Sequence, residues 1–374
     1  MYERTHIRRI EGYEPGLQPD GDAIKLNTNE NPFPPSPRVM ARLAHVLPIM
    51  LQRYPDPLAM AFRLVAARVH GLVPDQILAT NGGDELLRLA LATFVDPDRP
   101  VGIVSPGYGL YSILAALHRA PLSEVPLTET WQLPERTASR WNADGAQLAF
   151  LTNPHAPSGA LFPMTAIERL AASFQGALVI DEAYVDFVDP AVGYDATKLI
   201  AQYPNLLLLR TLSKGYSLAG LRLGYGLGDV SLIRPILGKT KDSYNVDAIA
   251  QLLGASALDD HAHARICWEA VRRERDTLSR DLQDLGFDVA PSQTNFLLVS
   301  VPAHGNGKRD EARELYGRLV ERKIFVRWFD TARLRNKLRI TIGTPEENAT
   351  LVRVLRQIAL GSSASAVCSH RSDE

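Results

Sequence analysis

Between residues 76 and 228 the chain alternates short unbroken apolar runs with longer stretches of helical spacing. The runs are 76–80, 101–104, 148–152, 177–180 and 206–209, the last four consecutive leucines. None of these alternates apolar with polar residues, which is the pattern of a strand covered on both faces. Helices are predicted over 86–94 and from about Thr165, where Thr165 and Glu168 spell a capping box. This rhythm of strand, loop and helix predicts an α/β fold whose large domain carries a mostly parallel, doubly wound sheet.

Either side of that region the pattern differs. Residues 38–70 predict two helices broken at 53–57, the second from Leu58. Upstream, 24–26 predicts a short strand, and the proline-dense 29–37 fits neither a helix nor an interior strand. Such a segment either drapes over a partner surface or simply links. Past about 246, a charged helix over 263–285 ends at Gly286. Then come a strand at 295–299, a helix at 309–322, strands at 323–329 and 337–342, and a helix at 345–359. The expected organisation is an N-terminal arm (1–37), a large domain (38–245), a smaller α+β domain (246–360) and a disordered tail (361–374).

Composition narrows the function classes. With 374 residues, 45% hydrophobic and 22% charged, the chain reads as globular with a sizeable core. A formal net charge of −1 gives no electrostatic case for nucleic acid or an anionic membrane. No apolar run is long enough to span a bilayer, and 1–10 has no apolar centre, so no secretory signal is expected. The two cysteines, Cys267 and Cys368, are too few and too far apart for a disulfide scaffold or a multi-thiolate metal site. No metal is expected, and a reducing cytoplasm is the expected location.

Candidate chemistry gathers at the carboxyl ends of the predicted strands, where open α/β sheets bind ligands. After the leucine run comes Ser213-Lys214, then Arg222. A lysine in an apolar context either lies on a turn or reacts; one with a lowered pKa forms Schiff bases with carbonyls. We read Lys214 as the lysine that bonds pyridoxal 5'-phosphate (PLP), with Ser213 and Arg222 as phosphate anchors. Asn81-Gly82-Gly83-Asp84 between a strand and a helix forms either an anion cup or a common α/β turn. Tyr108 follows the next strand and either stacks on a flat ring or packs internally. Asn153 opens a rigid loop with Pro154, Pro157 and Gly159. Asp181 ends an apolar strand, as a helix cap or as the partner of a cation such as a protonated pyridine nitrogen. Arg327 and Arg339 lie in predicted strands of the smaller domain, reaching solvent or clamping an anion.

Taken together, these segments resemble the fold-type I PLP-dependent aminotransferases, and within them the histidinol-phosphate aminotransferases. The resemblance covers about 13–359. It rests on Asn-Glu-Asn-Pro at 29–32, Arg-Tyr-Pro-Asp at 53–56, Gly-Gly-Asp-Glu at 82–85 and Pro-Gly-Tyr-Gly-Leu-Tyr at 106–111. It continues with the loop at 153–159, Asp-Glu-Ala-Tyr at 181–184, Ser-Lys with Gly-Leu-Arg at 213–222, and Leu-Arg-Ile-Thr-Ile-Gly-Thr at 338–344.

The resemblance implies roles. Lys214 is the aldimine lysine and proton carrier, Asp181 pairs with the ring nitrogen, and Asn153 and Tyr184 bond the ring hydroxylate. Tyr108 stacks on the ring, and Gly83, Asp84, Ser213 and Arg222 hold the phosphate. Tyr54 reaches the neighbouring subunit's phosphate, which implies a homodimer with shared sites. Arg339 and Arg327 bind the substrate's carboxylate or phosphate. Tyr13 (from the partner arm) and Asn29 add substrate contacts. The loop at 153–159 departs from the family's Asn-Pro-Asn-Asn-Pro-Thr-Gly, and the segment after Tyr13 lacks a basic residue that some relatives carry. The implied reaction is transamination between L-histidinol phosphate and 2-oxoglutarate. Alternatives are an aromatic or phenylpyruvate aminotransferase and a PLP lyase resembling threonine-phosphate decarboxylase. A PLP-binding regulator would need a basic helix-turn-helix, and neither end carries one.

Overall fold

The computed structural model describes residues 2–302 and 311–368. The arm contains β1 (Ile24–Lys25), and the proline-dense stretch after it stays irregular as far as Ser36. There the Ser36 hydroxyl accepts the Arg38 amide at 3.0 Å and caps α1 (Pro37–Leu43). Pro37 sits at the first helical position, where a missing N–H costs nothing. Two more helices follow, α2 (Pro48–Gln52) and α3 (Met60–His70). The two helices expected over 38–70 are therefore three. The last begins only after the Asp56 carboxylate has taken the amides of Leu58 and Met60, at 3.0 and 2.7 Å.

The central region alternates strand and helix: β2 (Ile77–Thr80), α4 (Gly82–Phe94), β3 (Val101–Ser105), α5 (Leu110–His118), β4 (Leu122–Pro126), α6 (Thr137–Asp144), β5 (Leu148–Thr152), α7 (Met164–Ser173), β6 (Ala177–Asp181), β7 (Leu206–Thr211) and β8 (Gly224–Gly228). They form one seven-stranded sheet in the order β2-β8-β7-β6-β5-β3-β4. Strands β7, β6, β5, β3 and β4 run parallel, and β8 is antiparallel to β2 and β7. This is the mixed, mostly parallel α/β architecture that the apolar runs predicted. Along β7, Leu206 and Leu208 enter one hydrophobic cluster and Leu207 and Leu209 the other, on the opposite face. An unbroken leucine run is what a two-sided core selects, and each buried leucine contributes about 1.5–3 kcal/mol.

Two local expectations are corrected. Helix α7 starts at Met164, directly after Pro163, with no side-chain cap. Thr165 is thus already inside the helix, and Glu168 instead receives the Tyr203 hydroxyl at 3.4 Å. The strand expected over 323–329 is two short strands in different sheets, described next.

After β8 come α8 (Val230–Pro235), α9 (Ala248–Asp259), which packs on α1 and α3, and α10 (His261–Asp284). Helix α10 buries Ala264, Cys267, Trp268, Val271, Arg275, Leu278 and Leu282, a stripe at helical spacing. Then follow β9 (Asp288–Val289), β10 (Phe296–Ser300), α11 (Glu311–Val320), β11 (Ile324–Phe325), β12 (Arg327–Trp328), β13 (Lys337–Thr341) and α12 (Pro345–Cys368). The start expected for α11 at 309 falls outside the described residues. A four-stranded antiparallel sheet has the order β12-β13-β10-β9, whereas β11 pairs in parallel with β1 of the arm. The arm is thereby stitched beside the smaller sheet. Helix α12 continues to Cys368, past the expected end at 359 and into the tail expected to be disordered; 369–374 lie outside the described residues. Among the described residues no helix is long and apolar enough to cross a membrane, and no group of three or more His, Cys, Asp or Glu could hold a metal ion.

Candidate active site

The parallel strands bring their carboxyl ends to one edge of the large sheet. Thr152 at the end of β5 is in register with Asp181 at the end of β6, and Asp181 with Leu209 of β7. The chain leaves β7 through Leu212 and Ser213 to Lys214, so the acid and the lysine emerge from neighbouring strands.

The Asp181 carboxylate is buried. Its Oδ2 accepts the Tyr111 hydroxyl at 2.8 Å, and its Oδ1 the Ala183 amide at 3.1 Å. Tyr111 Oη also lies 2.7 Å from Thr152 Oγ1. Burial pushes Asp181 up to about 6 against these two donors, and the nearby Asp84 and Glu182 push the same way. A carboxylate so placed calls for a cation. A protonated ring nitrogen fits that need.

Lys214 Nζ donates to the Thr28 carbonyl at 2.7 Å. Burial, then Arg339, brings its amine down to about 8; Lys25 and Arg222 act in the same direction and Glu30 in the other. A lysine near 8 offers a usable free amine near neutral pH. The Tyr184 hydroxyl accepts Asn29 Nδ2 at 3.0 Å, and its ring meets Phe296 edge-on, centroids 5.1 Å apart. Asn29 itself has φ +56° and is pinned on three sides. Its amide donates to Thr341 Oγ1 at 3.0 Å, Thr341 Oγ1 donates to its Oδ1 at 3.0 Å, and its carbonyl accepts Asn295 Nδ2 at 2.9 Å. Tyr108 stands edge-on to Tyr111 at 5.4 Å and to Tyr13 of the same chain at 5.7 Å.

The candidate anion cup lies at the start of α4. The glycines form the helix's own first turn, because α4 begins at Gly82 and not at Leu86. Its first amides therefore lack intrahelical acceptors. Gly82 has φ +75°, and a Cβ there would stand 2.5 Å from Arg222 Nη2. A Cβ on Gly224 of β8 would stand 2.7 Å from the Gly82 carbonyl carbon. The tight turn leaves backbone and a guanidinium where side chains would otherwise be. Arg222 Nη2 is 3.9 Å from the Asp84 carboxylate, and Nη1 donates to the Ala219 carbonyl at 3.1 Å. The Ser213 amide and hydroxyl both bond Thr211 Oγ1, at 3.1 and 2.9 Å.

Arg327 and Arg339 are direct partners in the β12–β13 ladder, so both side chains leave the same face. Arg339 Nη2 donates to the Asn27 carbonyl at 3.0 Å, and its guanidinium carbon lies 5.1 Å from the Phe296 ring and 5.5 Å from the Phe329 ring. Its Nε is buried without a partner. Such an orphaned donor costs about 1–3 kcal/mol, which a bound anion would relieve. Arg327 Nη2 donates to the Glu14 carbonyl at 3.2 Å.

Two candidates keep their side chains out of this cluster, although the Asn153 backbone N–H donates to the Asp181 carbonyl at 2.9 Å. The buried Asn153 amide closes its own loop, donating to the Phe162 carbonyl at 3.1 Å and accepting the Phe162 amide at 2.8 Å. Tyr54 is 80% exposed and stacks on Tyr244 at 4.4 Å. Conversely, Tyr111, Thr152, Lys25, Thr28 and Glu30 reach the site without having been singled out. Tyr111 was detectable, standing in the same Pro-Gly-Tyr-Gly-Leu-Tyr segment as Tyr108. The arm residues carry no such signal.

The sequence model of the family "Aminotransferase class I and II" matches residues 21–355. Histidinol-phosphate aminotransferase 1 of Trichormus variabilis is 43% identical over 359 residues, covering 96% of this chain and 99% of that protein. Histidinol-phosphate aminotransferase of Geotalea uraniireducens is 40% identical over 360 residues, covering 95% and 99%. Among solved structures, histidinol-phosphate aminotransferase from Sinorhizobium meliloti in complex with pyridoxal-5'-phosphate superposes with a TM-score of 0.82 at 26% identity, covering 90% of this chain and 92% of that one. The chain belongs to the class I and II aminotransferases.

Proposed function

We propose that this protein is a PLP-dependent aminotransferase that exchanges the amino group between L-histidinol phosphate and 2-oxoglutarate. The cofactor fits the residues present. Lys214 would meet the aldehyde, Asp181 the ring nitrogen, Tyr184 the ring hydroxylate and Tyr108 the ring face. The first turn of α4 at Gly83 and Asp84, with Ser213 and Arg222, would hold the phosphate, and Asn153 would brace the pocket wall through its loop to Phe162. When bound, PLP supplies an aldehyde that bonds amines and a ring that stores the electron pair left at the substrate carbon. The chain supplies the rest. Asp181 keeps the ring nitrogen protonated, and Lys214 Nζ takes up and returns the proton. Tyr184 and Asn29 fix the hydroxyl side, and Tyr13 and Tyr108 wall the substrate.

The observation that carries the substrate reading is the pair of opposed arginines with the buried, unpartnered Nε of Arg339. Two forks on one face suit a site that takes a carboxylate from one substrate and a phosphate monoester from the other. The names of the relatives point the same way. Given glutamate and imidazole-acetol phosphate, the purified protein should form 2-oxoglutarate with kcat/KM at least tenfold above that with phenylpyruvate, about 1.4 kcal/mol of discrimination. Preference for phenylpyruvate, or CO₂ release from threonine phosphate without 2-oxoglutarate, would defeat this reading.

A homodimer completes it. Met40, Leu43, Leu47, Ile49, Leu51 and Tyr54 are all exposed along one short stretch, and Tyr244 is exposed against Tyr54. Apolar exposure on this scale marks an interface, and a second copy would bring Tyr54 to the partner's phosphate. Sedimentation should give the mass of two chains at micromolar concentration; a monomer there would refute shared sites. A reducing cytoplasm suits Cys267, a buried free thiol.

A further inference from the structure

The arm touches the reactive lysine through a small polar assembly. Lys214 Nζ donates to the Thr28 carbonyl at 2.7 Å. The hydroxyl of the same threonine accepts Lys25 Nζ at 2.5 Å and donates to Glu30 Oε2 at 2.9 Å. Lys25 Nζ in turn pairs directly with that Glu30 oxygen. Glu30, Lys25 and Thr28 thus close a ring of hydrogen bonds with the Lys214 amine attached to its threonine corner.

The ring is anchored at both ends. Lys25 belongs to β1, whose partner is β11. Leu26 then bonds Phe325 and Thr341, its amide donating to the Phe325 carbonyl at 2.7 Å and its carbonyl accepting the Thr341 amide at 2.9 Å. On the other side Asn29 is pinned by Thr341, Asn295 and Tyr184. The Thr28 carbonyl cannot drift with the lysine; it is a fixed acceptor.

We propose that Lys25 and Glu30 are positioning residues for Lys214: paired around Thr28, they fix the carbonyl that receives the lysine amine whenever it leaves the cofactor, and they set the field in which that amine exchanges protons. This rests on Lys214 being the cofactor lysine. The competing description is an ordinary half-exposed ion pair, with side chains 21% and 43% exposed, which contributes little by itself. The two descriptions differ in what the amine feels. The charged groups facing it are Arg339 of β13, Arg222 after β7, and Lys25 and Glu30 of the arm. Lys25 disfavours its protonated form and Glu30 favours it. The two oppose each other, Glu30 ahead of Lys25, so losing both should shift the amine's titration less than losing Glu30 alone.

The test measures the Lys214 amine directly. Glutamate first converts the holoenzyme to its pyridoxamine-phosphate form, which leaves the lysine free. Trace acetylation with acetic anhydride across pH, with the Lys214 peptide quantified by mass spectrometry, then gives the midpoint of its titration. Lys25→Met should raise that midpoint by about half to one unit, and Glu30→Gln should lower it by a similar amount, as expected for single charges at this range. Lys25→Arg should stay close to the parent, and the double variant Lys25→Met/Glu30→Gln should move less than Glu30→Gln alone. Unmoved midpoints in both single variants, or shifts of the same sign, overturn the proposal. So does a double variant displaced as far as Glu30→Gln alone, since that would report disturbed folding and not an opposed pair. Failure of the cofactor reading looks different: glutamate would then leave the absorbance spectrum unchanged, and Lys214 would label equally before and after it.

Discussion

Lys214→Ala should lose turnover and the borohydride-reducible adduct together, with kcat falling about 10⁴-fold or more. Two functions sit on one atom. In the proposed role the amine, near 8, would both bond the cofactor's aldehyde and carry the proton, and alanine replaces neither. The fold should survive, because the lysine side chain contributes a single hydrogen bond, to the Thr28 carbonyl, and the backbone carbonyl that accepts Asn31 Nδ2 remains in alanine. Cofactor binding should weaken without vanishing, since the turn at Gly82, Arg222 and Asp181 do not depend on the lysine. The checks are the radioactivity retained after reduction with labelled borohydride, the single-turnover rate with glutamate, and an unchanged melting temperature. A reducible adduct that persists in the variant would place the chemistry on another lysine.

The large sheet was legible because its physics is one-dimensional. Strands β5, β6 and β7 are buried on both faces, so all but their last one or two positions are apolar and the runs stand out. Strand β4 failed that filter because it is the sheet's edge and alternates exposed with buried residues. Strand β8 failed because three of its five residues are glycine, selected by close approach, as Gly224 shows against the turn at Gly82. Residues 323–329 read as one strand since nothing in the sequence marks Val326 as the point where pairing passes from the arm to the smaller sheet. At the site, side chains at strand ends were visible and their neighbours were not. The arm works largely through main-chain carbonyls, Asn27 for Arg339 and Thr28 for Lys214. A carbonyl is present at every residue, so no motif announces the ones that matter. The Thr165 signature misled for a related reason: Pro163 fixes the backbone entering α7 just before it, and the capping pair goes unused.

Asp181 offers the second large effect, and a sign that can be worked out in advance. Asp181→Asn should lower kcat by about 10²–10³-fold, because a neutral amide cannot keep the ring nitrogen charged as the substrate carbon loses its proton. In the parent, burial holds the carboxyl at about 6 before any cation binds. Below that value it is protonated and offers no charge to the ring nitrogen. Cofactor affinity should therefore fall as pH drops through about 6. Comparing two proteins that both keep the carboxylate cancels the titrations of the cofactor's phosphate and ring nitrogen, which Asp181→Asn would not, and leaves the carboxyl's. Tyr111 refines the test. Its hydroxyl donates to the carboxylate at 2.8 Å and pulls the carboxyl down. In Tyr111→Phe the carboxyl keeps only the Ala183 amide, so its midpoint should climb by about one unit, the lower end of what a hydrogen bond to a charge is worth. Relative to the parent, the variant's affinity should then fall as pH drops through that raised midpoint, while well above it the variant should bind nearly as tightly. A uniform loss at every pH would mean that Tyr111 merely packs against Phe150 and that the acid is held by other means.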